Sequence, residues 1–253
     1  MNNNISLGDR MKEYEKTTKQ YLDNNKPAII RLDGKAFHTF TKRFKRPFDD
    51  KFMDLMDQTA IELCKNIQGA KVAYVQSDEI TIVLECTNNY SQFWYNGSIQ
   101  KITSVSASIA TAIFNKLLFI ELAFNQGYTL EEITNTETAK FDSRVNNVDN
   151  IDEVTNNIIW RQRDCIKNSI SVLAQSNFSN KQLHKKNGDE KKQMLLNIGI
   201  DWDALDNKYK NGRLIHKINL QIKNIEQQSY YRITWISTGI NKIKPNSYLY
   251  DKK

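Results

Sequence analysis

The chain has 253 residues, 40% of them hydrophobic, with a formal charge of +7 and a pI of about 9.1. That length suits one large domain, or one domain with an extension, and can bury a real core; the basic balance favours nucleic acid or polyphosphate partners. No apolar run approaches the ~20 residues that cross a bilayer, the N-terminus has no apolar signal core, and Cys64, Cys86 and Cys165 form neither a disulfide frame nor a zinc motif.

An intracellular protein without a membrane segment is therefore expected, cytoplasmic by preference, with the mitochondrion as the alternative compartment. Residues 9–22 are charged, with helical spacing at Met11, Tyr14 and Tyr21. Ala28-Ile29-Ile30-Arg31-Leu32 then predicts a first strand that ends at Asp33-Gly34. Those two residues are either a simple turn or an acid held at a rigid strand terminus. In the second case glycine lets a backbone carbonyl approach an ion. Residues 35–47 interleave aromatics with Lys35, His38, Lys42, Arg43, Lys45 and Arg46. They form either a solvated loop or a set of cationic donors for a triphosphate.

Residues 49–68 predict an amphipathic helix on Phe52, Leu55, Met56, Thr59, Leu63 and Ile67, with Asp49 and Asp50 at its N-terminus. After Gly69, two β-prone runs flank Gln76-Ser77-Asp78-Glu79. This spacing predicts an antiparallel hairpin with the acids at its turn. Residues 94–121 predict a second long helix with an apolar stripe of Ile102, Val105, Ile109, Ile113, Leu117 and Ile120. Ser104, Ser106, Ala107 and Ser108 are small enough for close packing on a sheet. Lys101 lies on another face of that helix. Residues 125–140 are expected to be a loop, and Phe141-Asp142-Ser143-Arg144-Val145 the last strand.

The order is βαββαβ, the ferredoxin-like arrangement. It implies an α+β fold, an antiparallel sheet with helices on one face and the other face free for substrate. Residues 1–150 would be the catalytic domain and 151–253 a helical, basic extension packed on it. In that extension, 151–175 predict a third long helix. Lys181, Lys185, Lys186, Lys191, Lys192, Lys208, Lys210 and Arg213 are either a solvated face or an RNA-facing surface. Residues 227–240 alternate enough (Tyr231, Ile233, Trp235) for a strand or hairpin.

Two carboxylates on neighbouring strands, here Asp33 and Asp78, can hold a pair of Mg²⁺ ions that clamp the attacking and leaving oxygens of a phosphoryl transfer. Such ions keep most of their waters and take substrate phosphates as ligands, so few protein ligands are needed.

The blocks Arg31-Leu32-Asp33-Gly34-Lys35-Ala36-Phe37-His38, Gln76-Ser77-Asp78-Glu79, Phe141-Asp142-Ser143-Arg144-Val145 and Trp160-Arg161-Gln162-Arg163-Asp164 come in this order. Together they resemble the tRNA-His guanylyltransferase superfamily, the 3′-to-5′ nucleotide-adding polymerases, over residues 8–215. The resemblance implies a polymerase palm. It implies Asp33, Asp78 and the Gly34 carbonyl as metal ligands, with Glu79 as an adjacent essential acid. It also implies nucleotide contacts from Arg31, Lys35, Ala36, Phe37, His38, Lys42, Arg46, Asp49, Ser77 and Lys101. Arg144, Arg161, Asp164, Asn168, Lys186, Lys191 and Lys192 are implied at a tRNA or second nucleotide site. Mg²⁺, ATP, GTP or other nucleoside triphosphates, tRNA and a homotetramer follow in the same way.

Asp164-Cys165 is followed by Ile166-Lys167-Asn168-Ser169 where the guanylyltransferases proper carry His-Ile-Asn-Asn, and Lys35-Ala36-Phe37 replaces Arg-x-Phe. Both features resemble the guanylyltransferase-like branch, which repairs 5′-truncated tRNA using the opposite strand as template. That activity is the expectation. The alternatives are addition of a single 5′ G to tRNA-His, a palm-domain nucleotide cyclase, and a non-catalytic tRNA-binding module.

Overall fold

The computed structural model describes residues 5–86, 91–223 and 229–244, with side chains described outside 220–232. The predicted 227–240 strand therefore begins outside the described residues. In chain order the elements are α1 (Leu7–Lys16), β1 (Ala28–Gly34), α2 (Phe37–Phe40), α3 (Asp50–Asn66), β2 (Ala70–Gln76), β3 (Glu79–Leu84), α4 (Ile99–Ile120), α5 (Leu130–Thr134) and β4 (Phe141–Asn147). They continue with α6 (Ile151–Gln175), α7 (Asn180–Leu183), α8 (Gly188–Leu196), α9 (Asn207–Lys210), β5 (Arg213–Lys223) and β6 (Ser229–Gly239).

The strands form one antiparallel sheet in the order β4-β1-β3-β2-β5-β6. The first four are the expected βαββαβ unit. The C-terminal extension is helical as far as α9 and then returns as the β5–β6 hairpin, adding two strands to the same sheet. Only Arg213, Leu214 and Ile215 of β5 pair with β2, so most of the hairpin runs past the core sheet.

The strand period of two sorts residues between the faces. Ile30, Leu32, Val75, Ile80 and Ile82 point to α3 and α4, where Phe37, Phe40, Phe52, Phe114 and Phe141 form an aromatic core. The opposite face is not free, as the sequence led us to expect. Val72, Tyr74 and Val83 there pack against Val154 and Ile158 of α6. A helix following β4 must bury its own apolar stripe, and this half of the sheet is the available surface.

Two further expectations are corrected. The buried stripe of α4 is Ile102, Ser106, Ala110, Phe114 and Leu118, one residue round from the stripe expected. Ile120 of the expected stripe is exposed. Small Ser106 and Ala110 let the helix approach the sheet closely, and the Ser106 hydroxyl meets that of Ser143 at 2.8 Å. Second, 125–140 is not all loop: α5 carries a capping box from Thr129 and Glu132. The helical stretch Ile99–Asn125 is also long and apolar enough to cross a membrane by composition, against the sequence expectation. In the fold one side of it lies on the sheet.

Candidate active site

The two acid-bearing segments meet at one end of the sheet. Asp33 closes β1 and lies in register with Glu79 of β3 on one side and Asp142 of β4 on the other. Asp78 sits in the two-residue turn between β2 and β3. The Gly34 amide donates to the Asp78 carbonyl at 3.2 Å, tying the segments together. Ser77 takes a positive φ of 46° in that turn, a conformation of the kind that clusters at functional sites. Glycine is required at position 34, since a Cβ there would lie 2.3 Å from the Phe37 ring.

The electrostatics mark a site where burial works against the charge of its carboxylates. Burial pushes the Asp78 carboxyl up to about 6, with Asp33 adding to the rise and the Ser77 hydroxyl opposing it. Asp33 is raised by burial and then by Asp142, against Arg144, Arg31 and Arg161. Two half-buried carboxylates that resist joint ionisation are what a divalent cation would relieve. Among the described residues no three His, Cys, Asp or Glu side chains form a ready metal cage. The donor set present, two carboxylates and the Gly34 carbonyl, fits an ion that fills its shell with water and phosphate oxygens.

Glu79 points away from solvent. Its Oε1 accepts from Arg161 Nε at 2.7 Å, and the same guanidinium reaches Asp164 Oδ2 at 3.0 Å. Arg161 is thus buried and committed to these acids. It holds Glu79 beside Asp78, and only 8% of it is exposed toward the tRNA or second nucleotide site that the resemblance implied.

Asp78 lines a cleft of about 440 Å³ between residues 37–53, the β2–β3 turn, α6 and α9. Of the predicted nucleotide residues, Phe37, His38, Arg46, Asp49, Ser77 and Asn168 line it. Phe37 does so from the core, and its ring packs against four other phenylalanines. Asp49 spends its carboxylate capping α3, accepting from the amides of Phe52 and Lys45. Lys35, Ala36 and Lys42 are exposed outside the cleft lining, and Ala36 adopts φ 57° to start α2. Lys101 is exposed on α4, which packs against the other face of the sheet from Asp33. Arg31 and Arg144 are register partners beside Asp33.

The basic extension is divided. Lys186 pairs with Glu190, Lys191 donates to Ser171, and Lys192 pairs with Asp203 over the Trp202 ring. Arg213, expected among RNA-facing cations, is only 4% exposed and grips Asp57 through Nε at 2.6 and 2.8 Å.

Sequence reasoning did not foresee how four features of the cleft are arranged, and it had set Lys208 on a solvated or RNA-facing surface instead. Phe48 stacks on Tyr209 at 4.9 Å, Lys208 pairs with Asp50, Gln76 has a buried Oε1 without a partner, and Cys165 lines the wall. Burial pushes the Cys165 thiol up to about 11, so it is no nucleophile near neutrality.

Residues 8–149 match the Thg1 family, tRNAHis guanylyltransferase. A mimivirus protein, R259 of Acanthamoeba polyphaga mimivirus, is 29% identical over 88% of this chain and 81% of its own. The probable tRNA(His) guanylyltransferase of Dictyostelium discoideum is 26% identical over 85% of each chain. Among solved structures, a bacterial tRNA(His) guanylyltransferase (Thg1)-like protein in complex with ATP superposes with a TM-score of 0.79 at 38% identity, covering 92% of both chains. The similar bacterial Thg1-like protein in complex with GTP gives 0.76 at 35%, covering 94% of this chain and 93% of that one. With acids on adjacent strand ends and a cleft beside them, the chain belongs to the Thg1 family of tRNA(His) guanylyltransferases and is a nucleotidyltransferase.

Proposed function

We propose that the chain is a template-directed 3′-to-5′ nucleotidyltransferase that extends the 5′ end of truncated tRNA. The observation that carries this reading is the cation-demanding pair Asp33 and Asp78, of which Asp78 lines a cleft walled by His38, Lys45, Arg46 and Lys208. Phosphoryl transfer is catalysed mainly by positioning and electrostatics, so no Ser or Cys nucleophile is needed. Asp33, Asp78 and the Gly34 carbonyl would hold Mg²⁺, which when bound lowers the pKa of an attacking hydroxyl and neutralises a leaving group.

The cleft takes the activating nucleotide, ATP. Its basic wall meets the phosphates, and Phe48 with Tyr209 gives the base an aromatic surface. The RNA 5′ end enters as an adenylate or as a triphosphate. The 3′-hydroxyl of an incoming NTP attacks that 5′ phosphorus, and AMP or pyrophosphate leaves. The Arg161–Glu79 pair keeps the strand end rigid. Base choice comes from pairing with the tRNA 3′ strand. The residues after Asp164 and the likeness to Thg1-like proteins bound to ATP and GTP support this branch over single-G addition. Exposed Ile120, Phe124 and Leu130 give an apolar surface for assembly into a tetramer, which light scattering would test.

The test compares a tRNA lacking its first 5′ nucleotide with an intact tRNA-His transcript, with Mg²⁺, ATP and all NTPs. Extension of truncated tRNAs of several species by the complementary base is the expected result. A G added to tRNA-His alone, without regard to pairing, would replace this reading with the guanylyltransferase proper. A cyclic nucleotide product without RNA, or tRNA binding without pyrophosphate release, would remove it altogether.

A further inference from the structure

Trp160 is 53% exposed although it adjoins the buried Arg161–Glu79 pair. Two guanidinium groups attend its ring, Arg161 at 4.5 Å and Arg31 at 5.4 Å from the centroid. Arg31 lies opposite Arg144 across the β1–β4 pairing, two residues along each strand from the pair Asp33 and Asp142. The face thus carries a row of acids at the strand ends and a row of arginines behind it, with an indole over the arginines. Arg144 and Arg31 both act on Asp33, so the strip is within electrostatic reach of the reacting centre.

This strip is not part of the cleft. Asp78 lines the cleft, whereas Trp160, Arg31 and Arg144 do not. β4 is the edge strand of the sheet, and its Asp142 and Arg144 side chains are exposed. A mononucleotide gains most in a concave site that buries it on several sides. An open aromatic surface flanked by arginines suits a partner that is itself flat and held elsewhere by its phosphates. The end of an RNA helix is such a partner: it shows one face of a base pair and 5′ phosphates at its rim.

Resting on the function proposed above, we propose that Trp160, with Arg31 and Arg144, is the platform on which the terminal base pair of the RNA stacks. Arg31 and Arg144 meet the backbone phosphates, and the stack sets the 5′ end over Asp33. Arg161 supports the indole from within the fold.

The test measures RNA binding by the full chain without nucleotides, so that it is read whether or not extension occurs. The probes are a hairpin RNA with an open, blunt helical end and a closed dumbbell of the same helix that has no end. The wild-type chain is expected to prefer the open end. Trp160→Ala is expected to lose that preference and to weaken open-end binding by about tenfold or more, the usual worth of a stacked base, whereas Trp160→Phe retains most of it. Arg144→Gln lowers affinity for both probes and reduces the salt slope by about 1. ATP affinity measured in parallel reports on the fold of each variant. Equal binding of both probes by the wild type would overturn the platform, as would Trp160→Ala keeping the preference. So would a defect of Trp160→Ala confined to the KM of the incoming NTP.

Discussion

The two faces of the central sheet are built from the same strands and differ in what they leave unsatisfied. The face under α3 and α4 is closed by interlocking phenylalanines and by Ile30, Leu32, Ile80 and Ile82. The face under α6 carries Arg31, Asp33, Glu79, Asp142 and Arg144 at its open end. Among the described residues each side has one buried arginine–carboxylate pair. Asp57–Arg213 is closed at the carboxylate, with the Ser237 hydroxyl donating to Oδ2 at 2.7 Å, although Arg213 Nη2 is buried without a partner among the described residues. Glu79–Arg161 is an open chain that runs outward to Asp164, which is 40% exposed, and to Trp160. The first pair staples β5 and β6 to α3, whereas the open pair borders Asp33 and Asp78 of the candidate active site.

The comparison breaks most visibly in activity. Asp33→Ala or Asp78→Ala is expected to reduce nucleotide transfer by about a thousandfold or more while the cooperative thermal transition is kept. Pyrophosphate release and circular dichroism melts check the two halves, and near-normal turnover in either variant would sink the metal assignment. On the other side, Asp57→Ala should show its loss in stability. It leaves the Arg213 charge buried and unpaired, which costs on the order of 3–5 kcal/mol, read by urea denaturation. A loss below about 1 kcal/mol would mean that water reaches Arg213 and that the pair is no staple.

A third variant sharpens the contrast by its sign. The Asp78 carboxyl is raised by burial from the ordinary range to about 6 in the fold. The folded state therefore holds its proton more tightly than the unfolded chain does. Its contribution favours folding at low pH and is lost as the pH rises between about 4 and 6. Asp78→Asn should stabilise the metal-free protein near neutrality, on the order of 1–2 kcal/mol, and flatten its profile over that pH range. Added Mg²⁺ should stabilise the wild type and do little for the variant. Urea melts in chelator and in Mg²⁺ decide it, and a variant less stable than wild type at neutral pH would contradict the account.

What was legible in the sequence follows the same division. Strands with local period-two patterns and acids at their ends were readable, because Asp33 and Asp78 are placed by their own neighbours. The partners of buried charges were not readable: Arg161 meets Glu79 across 82 residues and Arg213 meets Asp57 across 156. Neither arginine differs in sequence from a solvated one. The stripe of α4 was misplaced because Val105, Ile109, Ile113 and Leu117, which flank the buried stripe, are the more apolar row and lie half-buried beside it. Its small residues were the better signal, since only they allow Ser106 to touch Ser143. β5 was missed inside a basic stretch, although Leu214, Ile218, Leu220 and Ile222 carry the alternation that reveals it.

The smallest expected effect lies with that serine pair, and it tests whether the apolar face is as indifferent to function as its composition implies. Ser106 Oγ meets Ser143 Oγ at 2.8 Å and also reaches the Thr103 carbonyl at 3.3 Å. Ser106→Ala removes the side-chain partner of Ser143 and should cost about 0.5–1.5 kcal/mol, the net worth of an ordinary hydrogen bond. Replacing both serines by alanine removes donor and acceptor together and adds no volume, so the double variant should lose less than the sum of the two single variants. Transfer activity should hold throughout, because α4 contributes no group to the cleft or to the acid pair. The same logic fails across the sheet. Removing Glu79 and Arg161 together also leaves no buried charge behind, yet it takes away the support of Asp78 and Trp160. A double variant there that folds well and still turns over normally would erase the distinction between the two faces.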